Sequence, residues 1–219
     1  YRGSKLNWWK KEGKEVMNKY YFEGKTQEPA INLALYELNI SEDDLIVNNV
    51  EDKSSLLKKN VKIEVLNIKE IISFIKDTLN KITELMGAKS NLEVKRREKS
   101  ISVTIFSENN AILIGKNGKN VAALQLLIRQ MVNSKLKEPL SIIIDVGNYK
   151  EKRARSIEYL AKKLAREAYK TKTEVTMDSM NSYERRIVHE VLANDKYVYT
   201  ESIGEEPNRK VVIKLKESK

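Results

Sequence analysis

The stretch that decides the fold runs from residue 114 to residue 119 and reads Ile-Gly-Lys-Asn-Gly-Lys. Two glycines three residues apart let a ligand approach the backbone without meeting Cβ atoms. The apolar helix that follows offers free backbone N–H groups and a positive dipole end to a phosphate. The stretch therefore predicts a phosphate-binding loop formed by Gly115, Lys116, Asn117, Gly118 and Lys119. It is not a P-loop, because the Walker spacing and the hydroxyl residue after the lysine are absent.

The pattern on both sides of this loop predicts the order α-β-β-α-α-β. Apolar residues at helical spacing indicate a long amphipathic helix, and alternating residues indicate strands. A second helix follows the loop and carries Val121, Leu124 and Ile128 on one stripe. The remaining elements are a helix over Lys69–Met86, strands over Leu92–Lys95 and Ile101–Phe106, a short helix over Asn109–Ile114 and a buried strand over Leu140–Val146.

This order, together with the glycine loop, resembles a type II KH domain. In KH domains a GxxG loop clamps the backbone of about four nucleotides of a single strand. A bare G-x-x-G also occurs as an ordinary tight turn between helices, so the surrounding order of elements supports the assignment. The resemblance implies that residues 115–119 contact RNA.

The first part of the chain is a small unit that the pattern predicts to be β-α-β-β. Pro29 stands at a permitted position in the first turn of the helix. The predicted elements are strands over Asn18–Glu23, Asp44–Val50 and Val61–Leu66 and a helix over Glu28–Leu38.

The last third of the chain predicts α-β-α-β-β, with a long first helix. Its second helix contains Arg185 and His189, which are four residues apart and therefore share a helix face. Arginine can bind a phosphate bidentately and histidine can donate to one. An isolated pair of this kind is more often a surface arginine and a core histidine. The elements are helices over Tyr149–Tyr169 and Ser182–Leu192 and strands over Glu174–Met177, Val198–Ile203 and Lys210–Leu215.

The Arg-x3-His pair resembles the R-3-H domain, which binds single-stranded nucleic acids. Pro207 and Arg209 in the terminal hairpin match the resemblance as well. It implies that Arg185, Arg186, His189 and Arg209 contact nucleic acid.

The long helix carries a basic stripe that is independent of this resemblance. Arg155, Lys162, Arg166 and Lys170 stand at i, i+7, i+11 and i+15, and Tyr159 lies beside them. Cations around an aromatic ring are typical of surfaces that bind single strands. A solvated helix face would show the same pattern, so both interpretations stay open.

The composition of the chain restricts its function further. The 219 residues include 41 Lys and Arg against 31 Asp and Glu, a net charge of +10 that favours a polyanionic partner. Residues 17–68 carry a net −3, whereas residues 69–147 and 148–219 each carry +5. No cysteine and a single histidine predict no disulfide, metal or cofactor site and no catalytic residues. No apolar run is long enough for a membrane span, and we expect a cytoplasmic protein.

With these parts in this order, the chain resembles the Jag family, also called KhpB or EloR. The most specific match is the stretch from Met180 to Arg209, with Ser202-Ile203-Gly204-Glu205-Glu206-Pro207. Phe22-Glu23-Gly24-Lys25-Thr26, followed by the Ala30–Leu38 helix, matches the small N-terminal domain of the family. The resemblance predicts an N-terminal domain over residues 17–67, a KH domain over 68–147 and an R-3-H domain over 148–219. Residues 1–16 are interpreted as an extension that need not be native. Lys53–Asn60 lacks the glycines usual in the lysine loop of the family, so its role in partner contact is in doubt.

The resemblance implies a non-enzymatic regulator that binds single-stranded RNA in bacteria, with links to cell elongation, division or sporulation. Single-stranded DNA remains an open alternative. It also implies a small stand-alone KH protein as a partner, a membrane-associated partner for the N-terminal domain, and no small-molecule substrate. The alternative is a protein-interaction adaptor at the membrane elongation or insertase machinery, in which RNA binding is secondary. A ribonuclease is disfavoured, because no carboxylate pair at metal-binding spacing stands out.

Overall fold

The computed structural model describes residues 17–52 and 61–216. The predictions for residues 1–16 and for the loop Lys53–Asn60 lie outside the described residues. The described chain divides into two compact units, residues 17–147 and residues 148–216, and each is considered by itself. The domain boundary predicted near residue 67 falls inside the first unit and stays a prediction.

Helices and strands follow one another in the predicted order, and the predicted α+β class is confirmed. The bounds are β1 Tyr20–Gly24, α1 Gln27–Leu38, β2 Leu45–Asp52, β3 Val61–Asn67, α2 Ile68–Leu85, β4 Ser90–Arg97, β5 Ser100–Ser107, α3 Asn110–Ile114, α4 Lys119–Asn133, β6 Ser141–Val146, α5 Tyr149–Thr171, β7 Val175–Thr176, α6 Ser182–Leu192, β8 Val198–Ile203 and β9 Lys210–Leu215.

The KH-like part of the first unit is a three-stranded sheet with helices against one face. The sheet order is β4-β5-β6, with β5 antiparallel to β4 and parallel to β6. Alternate residues of β5 (Ile101, Val103 and Ile105) are buried, as are Ile142 and Ile144 of β6. This alternation places one sheet face in the core, where it packs against helices whose buried residues include Ile71, Ile75, Leu79, Leu113 and Ile128. The packing fixes α3 and α4, and therefore the loop between them.

The N-terminal part of the first unit is a separate small sheet covered by α1. Its strand order is β1-β3-β2, all antiparallel. The small residues Ala30 and Ala34 let α1 approach the sheet closely, next to Phe22, Ile63 and Val65.

Polar contacts join this small sheet to the KH-like part. Asp44 is almost fully buried and forms ion pairs with Lys69 at 2.8 Å and with Arg96 at 2.7 Å. The register of the ladder shifts at a β-bulge between Val47 and Asn49, which leaves the buried Asn48 without a pairing partner in β3. The Oδ1 atom of Asn48 accepts from the backbone N–H of Lys137 at 2.6 Å. The two parts are therefore held in register by a buried carboxylate and a bulge residue.

We expect Asp44→Asn to lower the free energy of unfolding by about 1–3 kcal/mol at pH 7, because hydrogen bonds to a charged group are lost. Lys69, Ser41 and Arg96 hold the pKa of the Asp44 carboxyl at about 2, below its ordinary value of 3.8. A carboxyl whose pKa is lowered by folding stabilises the fold above the unfolded-state pKa, and this contribution disappears as the pH falls toward 2. Urea unfolding monitored by circular dichroism checks both points.

Asp43→Asn is the matched control, since the neighbouring Asp43 side chain is exposed and makes no ion pair seen in the described residues. The difference between Asp44→Asn and wild type should shrink as the pH is lowered from 4 to 2. Equal stabilities of wild type and Asp44→Asn at pH 7 would contradict this role for Asp44.

The second unit packs α5 and α6 against one sheet. The strand order is β7-β9-β8, all antiparallel. The inner face of α5 consists of Ile157, Ala161, Ala165 and Ala168, which are all buried. Thr200 and Ser202 pair with Ile213 and Val211 of β9, so their side chains share the sheet face that carries this core.

Candidate nucleic-acid interface

The loop between α3 and α4 has a backbone that requires glycine at its first position. Gly115 has φ 68° and ψ 179°, a backbone conformation that is essentially restricted to glycine. A Cβ atom at this position would also lie 2.5 Å from Cγ of Asn120. The Asn120 side chain passes beneath the loop and donates to the carbonyl of Ile112 at 2.8 Å. Asn120 therefore ties α4 to α3 and fixes the loop, a role that the glycine motif alone did not reveal.

The tip of the loop is shaped for an anion. Asn117 and Gly118 both have positive φ, 53° and 76°, which turns the chain sharply into α4. No side chain caps the N-terminus of α4, as is also the case for α1, α3 and α5. The N–H of Lys119 donates to the carbonyl of Lys116, so the N–H groups that remain for a phosphate are those of the residues that follow it in the first turn of α4.

The lysines predicted for this loop stand beside that helix end. Lys116 and Lys119 are exposed, and neither forms an ion pair seen in the described residues. The structure thus brings residues 115–119 together in one turn, with two positive charges at an uncapped helix end. Such an arrangement can bind the phosphate backbone of a nucleic acid without reading its bases.

Arg185 lies inside the second unit and not on its surface. Only 9% of its side chain is exposed. Its Nη1 atom donates to the carbonyl of Met180 at 2.9 Å and forms an ion pair with Glu206 at 2.7 Å. The guanidinium therefore joins the start of α6 to the turn between β8 and β9. The sequence predicted Arg185 as a side chain that contacts the phosphates of a nucleic acid, and it did not show these internal partners.

His189 is also engaged by its own unit. Nδ1 lies 2.6 Å from the hydroxyl of Thr200, and Nε2 lies 2.8 Å from the hydroxyl of Ser202. Burial, aided by the charges of Arg185 and Arg209, lowers the pKa of His189 below its ordinary value of 6.5. The imidazole is therefore mainly neutral at pH 7, with one ring nitrogen donating and the other accepting.

The other two predicted residues of this group differ in their surroundings. Arg186 is exposed and forms an ion pair with Glu190 at 2.7 Å, one turn further along α6. Arg209 is half-buried, and its Nε atom is buried without a hydrogen-bond partner. Arg185 and Arg209 thus place two positive charges near the neutral His189, and Glu206 is the carboxylate paired with Arg185. Arg186 is exposed to solvent.

The four residues of the predicted basic stripe on α5 have two different surroundings. Arg155 is neutralised by Glu151 one turn earlier. Lys162, Arg166 and Lys170 line a groove together with Tyr159 and with Lys163, which the sequence analysis omitted. The helical spacing of 159, 163, 166 and 170 would have included Lys163, since these positions recur at three and four residues.

Within the described residues no cluster of three or more His, Asp or Glu side chains could hold a metal ion. Nor does any helix of the described ranges have the length and apolar character needed to cross a membrane.

The fold and the site together define a protein with a KH domain followed by an R-3-H domain. The family model of the KhpA/KhpB KH domain matches residues 73–144, and the model of the R-3-H domain matches residues 155–215. A relative from Clostridium symbiosum called RNA-binding protein KhpB is 36% identical over 204 residues, covering 88% of this chain and 89% of that protein. The protein of the same description from Bacillus subtilis is 30% identical over 200 residues, covering 88% of this chain and 96% of that protein. The chain belongs to the KhpB family, which is the Jag family that the sequence resembles.

Proposed function

We propose that the chain is a regulatory protein that binds single-stranded RNA without processing it. The observation that carries this proposal is the α3–α4 loop. There a helix end without a side-chain cap and two positive-φ residues lie beside two lysines that form no ion pair within the described part of the chain. A KH cleft with this loop accommodates an unpaired strand better than a duplex. The names of the relatives, RNA-binding protein KhpB, support RNA over DNA as the natural ligand.

The second unit contributes a further contact in this proposal. The charges of Arg185 and Arg209 act on the neutral His189, and the carboxylate that pairs with Arg185 is Glu206. A phosphate that exchanges with the Glu206 carboxylate would reach the guanidinium of Arg185. Two weak contacts on one chain reinforce each other, because the second contact becomes intramolecular.

Fluorescence anisotropy with a labelled single-stranded RNA pool over a salt series tests the proposal. The logarithm of the association constant should fall linearly with the logarithm of salt concentration, by about 0.7 for each phosphate contact. Unlabelled duplex RNA should compete poorly. The absence of saturable binding at low salt would overturn the proposal.

The Jag resemblance extends the proposal to the surroundings of the protein. On its basis we propose that the chain acts in the bacterial cytoplasm, in a pathway of cell elongation, division or sporulation. We also propose a small stand-alone KH protein as its partner. These points rest on the resemblance and not on a contact in the structure.

A protein-interaction adaptor is the second candidate, and one observation favours it. Helix α1 exposes Tyr36 to 85% and Leu33 to 40%, on a helix that packs its alanines against the small sheet. Two exposed apolar side chains three residues apart on one helix, within the acidic stretch of residues 17–68, offer a contact to another protein. In a pull-down with the full chain, we expect Leu33→Asp/Tyr36→Asp to lose any partner that wild type captures. Retention of the partner by this variant would exclude the α1 surface.

A further inference from the structure

The outward face of α5 is a groove of about 430 Å³ that combines an aromatic ring with positive charges. The ring of Tyr159 is 72% exposed. The groove also contains Lys162, Lys163, Arg166 and Lys170, against a single carboxylate, Glu167. We call these five residues, Tyr159 and the four cations, the α5 groove.

The rest of the helix shows that these charges are left unpaired in a chain that pairs others nearby. Arg153 forms an ion pair with Glu184 at 2.7 Å, and Arg155 is paired with Glu151. No ion pair of the four groove cations is seen among the described residues. The inner face of α5 forms the core, so the groove cations are not needed to hold the unit together.

The spacing of the groove cations destabilises helix α5. Lys162 and Arg166 are four residues apart, as are Arg166 and Lys170. Like charges at this spacing destabilise a helix by about 0.2–0.5 kcal/mol for each pair. A bound polyanion would remove this repulsion, and the release of its condensed counterions would favour binding further.

The chemistry of the α5 groove decides which polyanion fits. An exposed tyrosine among lysines and arginines provides a stacking surface beside phosphate contacts, which an unpaired strand can use and a duplex cannot. From residue 159 to residue 170 the helix spans about 16 Å, which matches about five stacked nucleotides. A membrane surface would require an apolar face, and among the described residues that line the groove Tyr159 is the only one with an aromatic ring.

We propose that the α5 groove is a binding site for single-stranded nucleic acid, with Tyr159 stacking on a base and Lys162, Arg166 and Lys170 contacting phosphates. The proposal rests on the proposed function, which it deepens by a third contact surface. It is independent of Arg185 and His189, because it uses different side chains, all on α5, whereas Arg185 and His189 lie on α6.

The test compares variants of the full chain by anisotropy with a short labelled oligouridine. Tyr159→Ala should weaken binding at least five-fold, and Tyr159→Phe should bind like wild type, because stacking needs the ring and not the hydroxyl. Lys162→Glu/Arg166→Glu should weaken binding by ten-fold or more and lower the salt slope by about 1.4, for two lost contacts. The matched control is Lys76→Glu/Lys196→Glu, which makes the same charge change at exposed positions elsewhere.

The outcomes separate this inference from the proposed function. If the α5 variants bind like wild type while charge reversal in the α3–α4 loop abolishes binding, the α5 site is wrong and the proposed function stands. Equal weakening by the matched control would mean that only net charge matters, which also overturns the site. If Tyr159→Ala weakens the binding of duplex RNA as much as that of the single strand, the stacking role of Tyr159 is wrong. Wild type that fails to bind oligouridine at low salt overturns both proposals.

Discussion

Charge reversal in the α3–α4 loop is expected to cause the largest loss of RNA affinity. Lys116→Asp/Asn117→Asp should weaken the binding of single-stranded RNA by ten-fold or more at low salt. The variant removes one phosphate contact and places two carboxylates at the uncapped N-terminus of α4, where the dipole would otherwise attract an anion. Loss of the Lys116 contact should also lower the salt slope by about 0.7.

A matched variant on α2 separates the loop from a general effect of charge. Lys76→Asp/Asn80→Asp changes the same residue types by the same charge at exposed positions on another helix of the same unit. It should bind RNA almost as wild type does once salt is raised. Both variants should keep the wild-type circular dichroism spectrum, since Gly115 and Asn120, which shape the loop, are untouched. Equal affinities of the two variants would show that the loop is not the binding site.

Arg185→Ala is expected to cause the largest loss of stability, about 2–4 kcal/mol in the second unit. The substitution removes a buried guanidinium, leaves the buried carbonyl of Met180 without its donor and releases Glu206 from α6. Amide hydrogen exchange followed by mass spectrometry can localise the effect to α6 and to the β8–β9 turn. Arg185→Lys should be intermediate, because lysine keeps the charge but lacks the planar fork.

A second variant decides whether Arg185 also binds nucleic acid. Glu206→Gln removes the competing carboxylate and leaves Arg185 in place. If a phosphate exchanges with Glu206, this variant should bind RNA more tightly than wild type while changing stability little, since most of the Glu206 side chain is exposed. Unchanged affinity in Glu206→Gln, together with a large stability loss in Arg185→Ala, would make Arg185 a purely structural residue.

These expectations change the interpretation of the Arg-x3-His motif. Four-residue spacing correctly predicted that Arg185 and His189 lie on the same helix, but both side chains turn toward partners that are distant in sequence. Thr200, Ser202 and Glu206 come from β8 and the turn after it, and the sequence gives no periodic signal for such pairings. A motif search therefore finds Arg185 and His189 without showing that both side chains already bind partners inside the unit.

For the basic residues as well, the sequence predicts where the charges lie, and the structure shows which of them form ion pairs. Helical spacing on α5 is compatible both with the Arg155–Glu151 pair and with the inclusion of Lys163, but only the structure shows that this pair forms while Lys163 lines the groove. The net charge of +5 on residues 148–219 indicated a polyanion partner without indicating which cations remain unpaired. Ion pairing depends on rotamers and on the distance between charges, which a count of residues does not contain.

By itself, the sequence determined the order of the elements, the α+β class and the position of the glycine loop. These follow from local causes, namely apolar periodicity, strand alternation and the backbone freedom of Gly115 and Gly118. The tertiary structure alone decided how Asp44 and Asn48 join the small sheet to the KH-like part, how Asn120 supports the loop and how Glu206 occupies Arg185. Most of these contacts join residues far apart in the chain, so they arise only when packing brings distant segments together.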